Sequence, residues 1–361
     1  MKVFADLHHF DLYHSFQLLF EKRLGWELCR PIGLEWYREG FWKICDESPV
    51  IQGYLSPEEG KCLEGLLPFW ESRSPSWARF ATELVRVGNI WEVSPGLYSV
   101  IDNSKGISQT GITLEYFKSN RFDIIISSVP QHFPIFERLR QLYQPWAKHI
   151  FHMGPGSVEW EIPTGAKNVL LHSCSFKIPK EINHVFYSQE FDLDKFYYSF
   201  PTHPTVVRSY VHYPEGKELW DKIGLPWDFK FIGKTLASLG ETIVKTSELS
   251  QVMRDSGFTW HYKPGGESYG HILHNTYAVG RPAIIDVGVF KNKRGGRLLE
   301  DMVTCIDIKG CSPKDIREKL EWASQPENHL TMCINAKDRF DLKVNFDQEE
   351  VDLRLFMENL Q

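Results

Sequence analysis

Short apolar runs rich in β-branched residues recur along this chain, separated by stretches long enough for amphipathic helices. That alternation constrains the fold most, because it is the signature of strand–helix units and a parallel sheet. In the first half, residues 2–6, 26–30, 124–128, 149–153, 168–172 and 184–188 read as strands. Between the first two, Leu12, Phe16, Leu19 and Phe20 keep helical spacing over 10–24, with Gly25 as the stop. A second series starts at 229–233 and continues through 259–263, 283–287 and 303–307, interleaved with helical patterns at 247–255 and 270–279. The join falls in 197–213, where Pro201, His203, Pro204 and His212 interrupt the periodicity. At 361 residues the chain is about twice the size of one hydrophobic unit, so two α/β domains are expected, 1–200 and 201–345. Residues 346–361 form a charged helix with its acids early, free to pack back on the first domain. Residues 33–99, rich in Trp and Pro, read as loops and short helices inserted into the first domain.

Composition narrows the function. Trp, Tyr and Phe make up 14%, more than packing alone requires, and surplus aromatics often line sugar or base sites. A formal charge of −6 gives no global attraction to phosphate backbones or anionic lipid. The short basic run Lys291-Asn292-Lys293-Arg294 reads as solvated surface. Seven cysteines, odd in number and without a C-x-x-C pair, fit a reducing compartment. The first residues read as a strand rather than an apolar signal core, and no stretch approaches about 18 apolar residues, so a cytoplasmic, non-spanning protein is expected.

In open α/β sheets ligands bind beyond the carboxyl ends of strands, and two such domains facing each other make a cleft. The strand at 259–263 runs into Pro264-Gly265-Gly266-Glu267-Ser268-Tyr269-Gly270, and a helical pattern follows from His271 until Gly280-Arg281-Pro282. A glycine turn opening a helix is an anion site, because the backbone can approach the ligand and the first-turn N–H groups point at it. Glu267 is ill-suited to share that position with a diphosphate; a carboxylate accepts two sugar hydroxyl hydrogen bonds well. From the residues alone, a phosphate site and a plain turn stand level. On the first-domain side, Asp6-Leu7-His8-His9 follows the first strand, and adjacent histidines point apart, so at most one of the two faces the substrate. Asp6, His8, His9 and His14 could be metal ligands on paper, but no Cys joins them and no metal is expected. The loops Ser127-Ser128-Val129-Pro130-Gln131-His132 and Gly154-Pro155-Gly156-Ser157 could hold an acceptor or close over a diphosphate.

Glu267-Ser268-Tyr269-Gly270, followed without a gap by Ala278-Val279-Gly280-Arg281-Pro282-Ala283-Ile284, resembles the donor signature of retaining GT-B glycosyltransferases, E-G-F-G leading to A-x-G-x-P-V-I. The resemblance implies two Rossmann-like domains facing across a cleft and a hexosyltransferase-like activity that retains anomeric configuration. It implies a nucleoside-diphosphate sugar as co-substrate and no other cofactor. Glu267 would then take sugar hydroxyls, Gly265, Gly266, Ser268, Tyr269 and Gly270 would make backbone phosphate contacts, and His271 would lie near the donor. The family's second Glu, which contacts the ribose, is replaced by Asn275, which can still hydrogen-bond a hydroxyl but carries no charge. Phe231-Ile232-Gly233-Lys234 is similar to the family's V-G-R-L, which gives Lys234 the diphosphate charge. The family's second basic residue has no clear match; Lys245, Lys263 and Arg208 are candidates. His8 or His9 would stand beside the reacting carbon. The acceptor, whether glycan, small molecule or modified DNA base, is open. Competing readings are a non-catalytic nucleotide- or carbohydrate-binding protein and a two-domain sugar-nucleotide epimerase.

Overall fold

The computed structural model describes residues 1–7, 10–32, 36, 88–102, 107–128, 130, 132–153, 162–172, 178–233, 248–265, 267, 269–291 and 293–361. In chain order the first half contains β1 (Lys2–Asp6), α1 (Phe10–Gln17), β2 (Glu27–Pro31), β3 (Gly88–Ser94), β4 (Leu97–Asp102), β5 (Ile107–Ile112), α2 (Leu114–Ser119), β6 (Ile124–Ser127), α3 (Phe133–Tyr143), β7 (Lys148–Met153), β8 (Asn168–Leu171) and β9 (Asn183–Phe186). The second contains β10 (Val206–Ser209), α4 (Pro214–Ile223), β11 (Asp228–Phe231), α5 (Leu249–Arg254), β12 (Phe258–His261), α6 (His271–Ala278), β13 (Ala283–Ile285) and β14 (Cys305–Asp307). Three helices close the chain: α7 (Pro313–Ala323), α8 (Pro326–Lys343) and α9 (Phe346–Glu358).

Among the described residues the first sheet has nine strands, ordered β3-β4-β5-β2-β1-β6-β7-β8-β9, and the second has five, ordered β11-β10-β12-β13-β14. All pairings are parallel except β3–β4 and β4–β5. Strand periodicity divides the apolar residues between two faces. Val3, Ala5, Ile124 and Ile126 meet Leu12, Tyr13 and Phe16 of α1 on one face, while Phe4 and Ile125 meet Phe117, Phe136 and Leu139 of α2 and α3 on the other. The second sheet is likewise sandwiched, with Leu273 and Phe340 against Ala283 and Ile285, and Trp220 and Leu320 against Trp260 and Ile284.

Two expectations are corrected. Of 33–99, read as loops and short helices, residues 33–35 and 37–87 lie outside the described residues, and 88–99 holds β3 and the start of β4, an antiparallel hairpin across Pro95-Gly96 that extends the sheet. Gly96 takes the positive φ of +75° that this tight turn needs. The region read as a linker, 197–213, contains β10, which lies between β11 and β12 inside the second sheet. The strand before Gly233 therefore lies at the sheet edge and does not open the domain.

The chain then returns to the first sheet. Asn345 caps α9 by accepting from the Gln348 N–H at 3.0 Å, and Leu353, Phe356 and Met357 enter the core formed by β1, β6, β7 and α1. Burial of these side chains contributes roughly 2 kcal/mol each. α9 thus fastens one end of the second half to the first.

Candidate active site

β12 is buried throughout, and its last side chain, His261, is fully enclosed. Beyond it the chain turns through Lys263 and Gly265 to Glu267 and enters α6 at His271. Gly270 precedes that helix with φ +78°, a left-handed conformation that favours glycine. A Cβ there would lie 3.1 Å from Leu273 Cδ1 and 3.4 Å from Glu267 Oε1, so the missing side chain makes room for the carboxylate. Lys263 Nζ donates to Glu267 Oε2 at 2.5 Å, and His261 Nε2 approaches Oε1 to 3.1 Å without the alignment of a good hydrogen bond. Burial opposes the charge on Glu267, but His261 and Lys263 together outweigh it and hold the carboxyl at about 2. The turn therefore presents a fixed anion, suited to accepting hydroxyls.

Tyr269 points the other way. Its ring is fully buried, stacks on His274 at 3.9 Å, and its hydroxyl donates to the Gln189 carbonyl at 3.3 Å. It anchors the turn to the chain just after β9, and only its backbone is placed to meet a ligand. His274 Nδ1 lies 2.9 Å from the Gly270 carbonyl, which requires the proton on that nitrogen. Burial pushes its pKa well below the ordinary value, so the ring is neutral. His172, at the end of β8, packs its ring 5.6 Å from that of Tyr269 and donates from Nδ1 to the Tyr187 carbonyl at 2.7 Å. Its Nε2 is a buried acceptor without a partner, and burial holds the ring at about 3. Asn275 is only 2% exposed, and its Oδ1 accepts no hydrogen bond. His271 sits in the first turn, edge-on to Phe191.

Arg294 was expected on a solvated surface, and its side chain is instead only 10% exposed. The 3-10 turn Gly295–Leu298 lies against the glycine turn: a Cβ on Gly295 would stand 2.6 Å from the Tyr269 carbonyl oxygen. Arg294 Nη2 bonds Glu349 Oε1 at 2.5 Å, and Glu349 also accepts from the Ser188 N–H at 2.8 Å and the Ser188 hydroxyl at 2.5 Å. This pair joins the segment beside the glycine turn, Ser188 after β9, and α9. No periodic or motif signal marks it in the sequence.

On the first sheet, Asp6 ends β1 and Ser127 ends β6 beside it. Asp6 Oδ2 lies 2.6 Å from His132 Nδ1, and the Ser128 hydroxyl donates to the Asp6 carbonyl at 3.1 Å. Two predicted cleft loops therefore meet there. Behind them Ser127 Oγ is 3.0 Å from His149 Nε2, and His149 Nδ1 is 2.9 Å from Glu137 Oε2. Serine, histidine and acid stand in the order of a nucleophilic triad, but Ser127 is fully buried, so the chain ties β6, β7 and α3 together.

Gly265, Glu267, Tyr269, Gly270, His271 and Asn275 are thus brought onto one turn and one helix. His8, His9, Lys234, Lys245, Gly266, Ser268 and the loop 154–157 lie outside the described residues. Arg208 is removed as a diphosphate candidate: its guanidinium holds the Asp228 carboxylate at 2.6 Å and two backbone carbonyls. Among the described residues no three His, Cys, Asp or Glu side chains are grouped to hold a metal ion.

No family model and no curated protein matches the sequence. Solved structures do match over the whole chain. Sucrose-phosphate synthase of Thermosynechococcus elongatus superposes with a TM-score of 0.59 at 10% identity, covering 99% of this chain and 98% of that one. HepE of Anabaena in complex with UDP gives 0.57 at 9%, covering 99% and 100%. TarM of S. aureus, solved as a mutant with fondaparinux, a GlcNAc-glycerol and UDP, gives 0.56 at 11%, covering 99% of both chains.

The fold is GT-B. Glu267 follows β12 and His172 follows β8, so both lie beyond the carboxyl ends of their strands, with the His172 ring fully buried against that of Tyr269. No described helix of this GT-B protein is long and apolar enough to cross a membrane.

Proposed function

We propose that the protein is a glycosyltransferase that transfers a sugar from a nucleoside-diphosphate sugar to an acceptor with retention of anomeric configuration. The observation that carries this reading is the Glu267 carboxylate, kept ionised by Lys263 and His261 on the turn that leads into α6 of a GT-B fold. An ionised carboxylate selects for hydroxyls, and the N–H groups at the start of α6 beside it select for phosphate. A sugar esterified to a diphosphate offers both. Gly265, Gly266, Ser268, Tyr269 and Gly270 supply backbone contacts to phosphate, His271 stands beside the donor, and Asn275 takes a ribose hydroxyl. Its unpartnered Oδ1 supports that role, since a buried acceptor without a donor is costly unless a ligand completes it. Lys234 supplies charge to the leaving diphosphate, and His8 or His9 stands beside the reacting carbon on the first-domain side. That HepE and TarM were solved with UDP supports a uridine donor.

Thermal stability against a panel of nucleoside diphosphates and their sugars tests the reading. A ligand at about 100 times its Kd adds roughly 2.7 kcal/mol. One nucleotide series should raise the melting point of the wild type, and Glu267→Ala should lose the sugar's share of the shift. If no member of the panel moves the melting point at millimolar concentration, the protein is no such transferase.

A further inference from the structure

Both oxygens of Glu267 have a close neighbour before any ligand arrives, and the two neighbours differ in kind. Oε1 faces His261, which belongs to a central strand and is fully enclosed, and it is closed on another side by Gly270. His261 has nowhere to go. Oε2 faces Lys263, which lies beyond the strand end, is 25% exposed, and among the described residues has no other hydrogen-bond or ion-pair partner. A lysine is a point charge on a flexible four-carbon stem and can turn to a second anion without backbone movement. A sugar hydroxyl reaching Glu267 from the cleft must come to Oε2, the oxygen Lys263 now holds.

We propose that Lys263 is the displaceable partner of Glu267 and His261 the fixed one, so that a nucleotide-sugar donor binds by ion exchange. The Lys263 ammonium leaves the carboxylate for the donor's phosphate charge, and His261 keeps Glu267 in place to receive the sugar hydroxyls. This rests on the donor-site reading above and deepens it. It gives the cleft a cation from the described residues and makes His261 a positioning residue. It also means that donor affinity is reduced by the cost of breaking the resident pair, as with any site that must rearrange before it binds.

The exchange has a consequence of unusual sign. Removing the charge of Glu267 frees Lys263 in advance, so Glu267→Gln should bind the sugar-free nucleotide more tightly than the wild type, by about fivefold, while losing the preference for the sugar-bearing form. Lys263→Met should bind the sugar-free nucleotide about fivefold more weakly, and in Lys263→Met the added Glu267→Gln change should bring no gain. His261→Leu should erase the preference for the sugar-bearing form, and His261→Gln, whose amide can donate to Oε1, should restore part of it. Titration calorimetry with UDP and UDP-glucose, and with the ADP and GDP pairs, reads all of these. If the wild type binds none of the pairs, the donor reading fails and the exchange with it. If the wild type binds a pair but Glu267→Gln shows no gain for its nucleotide, or keeps the gain in the absence of Lys263, the donor site stands and the exchange is wrong. Equal behaviour of His261→Leu and His261→Gln would overturn the positioning role.

Discussion

Replacing Glu267 by Gln removes a carboxylate that the fold holds at about 2, against an ordinary value of 4.5. A depressed folded-state pKa contributes stability that is fully present above the unfolded value and is lost as pH falls toward the folded one. Here the contribution is about 3 kcal/mol above pH 6, and it should fade between about pH 4.5 and 2. The variant keeps the shape and the hydrogen-bonding capacity of the side chain but cannot titrate. The stability gap between wild type and Glu267→Gln should therefore shrink by about 1 kcal/mol between pH 4 and pH 3. Glu137, held low by His149 and Arg140 against its burial, titrates in both proteins and cancels in the comparison. Urea unfolding at a series of pH values measures the gap directly. A gap that stays constant from pH 5 to pH 3 would show that Lys263 and His261 do not hold Glu267 ionised, and the reasoning from their contacts with it would collapse.

Arg281 is fully buried and donates to the carbonyls of Ser256, Ser199, Val279, Gly280 and Arg254, so Arg281→Met should cost about 3 kcal/mol in urea unfolding, and a loss under about 0.5 kcal/mol would refute the clamp. Glu349→Ala leaves Arg294 and Ser188 without their shared carboxylate and should also cost about 3 kcal/mol; an unchanged melting curve would mean that α9 is not fastened there. Burial holds His172 neutral with its pKa at about 3, below the ordinary 6.5, so its contribution is fully present above pH 6.5 and declines as pH falls. Between pH 7 and pH 5 the wild type should lose about 2 kcal/mol more than His172→Gln, and parallel profiles would contradict its burial as a neutral ring.

What could be read from the chain follows from where each signal lies. Glu267, Gly270 and His271 were legible because a strand end, a glycine turn and a helix start come consecutively, and the structure keeps them on one connected turn. β10 was not legible: Val206–Ser209 is four residues long, follows Pro201 and Pro204, and contains Arg208, whose charge is met by Asp228 on the neighbouring strand β11. Such a strand is recognised by its neighbours in space, since Val207 pairs with both Phe229 and Phe258. The β3–β4 hairpin was hidden because its outer strand exposes Trp91 and Val93, so the apolar residues do not mark a buried face. Arg294 looked like surface within a basic tetrad; its partners Glu349 and Ser188 come from distant stretches, and only folding brings the charges together. His261 answers to nothing in the signature, and Lys263 was one of three candidates for its second basic residue; that both stand against Glu267 appeared only in their distances to it.

The central claim is that a nucleoside-diphosphate sugar binds at the turn between β12 and α6. A crystal structure of the protein soaked with UDP-glucose, or with whichever nucleotide sugar raises its melting point, tests this most directly. The account predicts the sugar within hydrogen-bond distance of Glu267, the diphosphate over the start of α6, and Lys263 turned from the carboxylate toward phosphate. A nucleotide sugar bound elsewhere, with the pair between Lys263 and Glu267 intact, would contradict it.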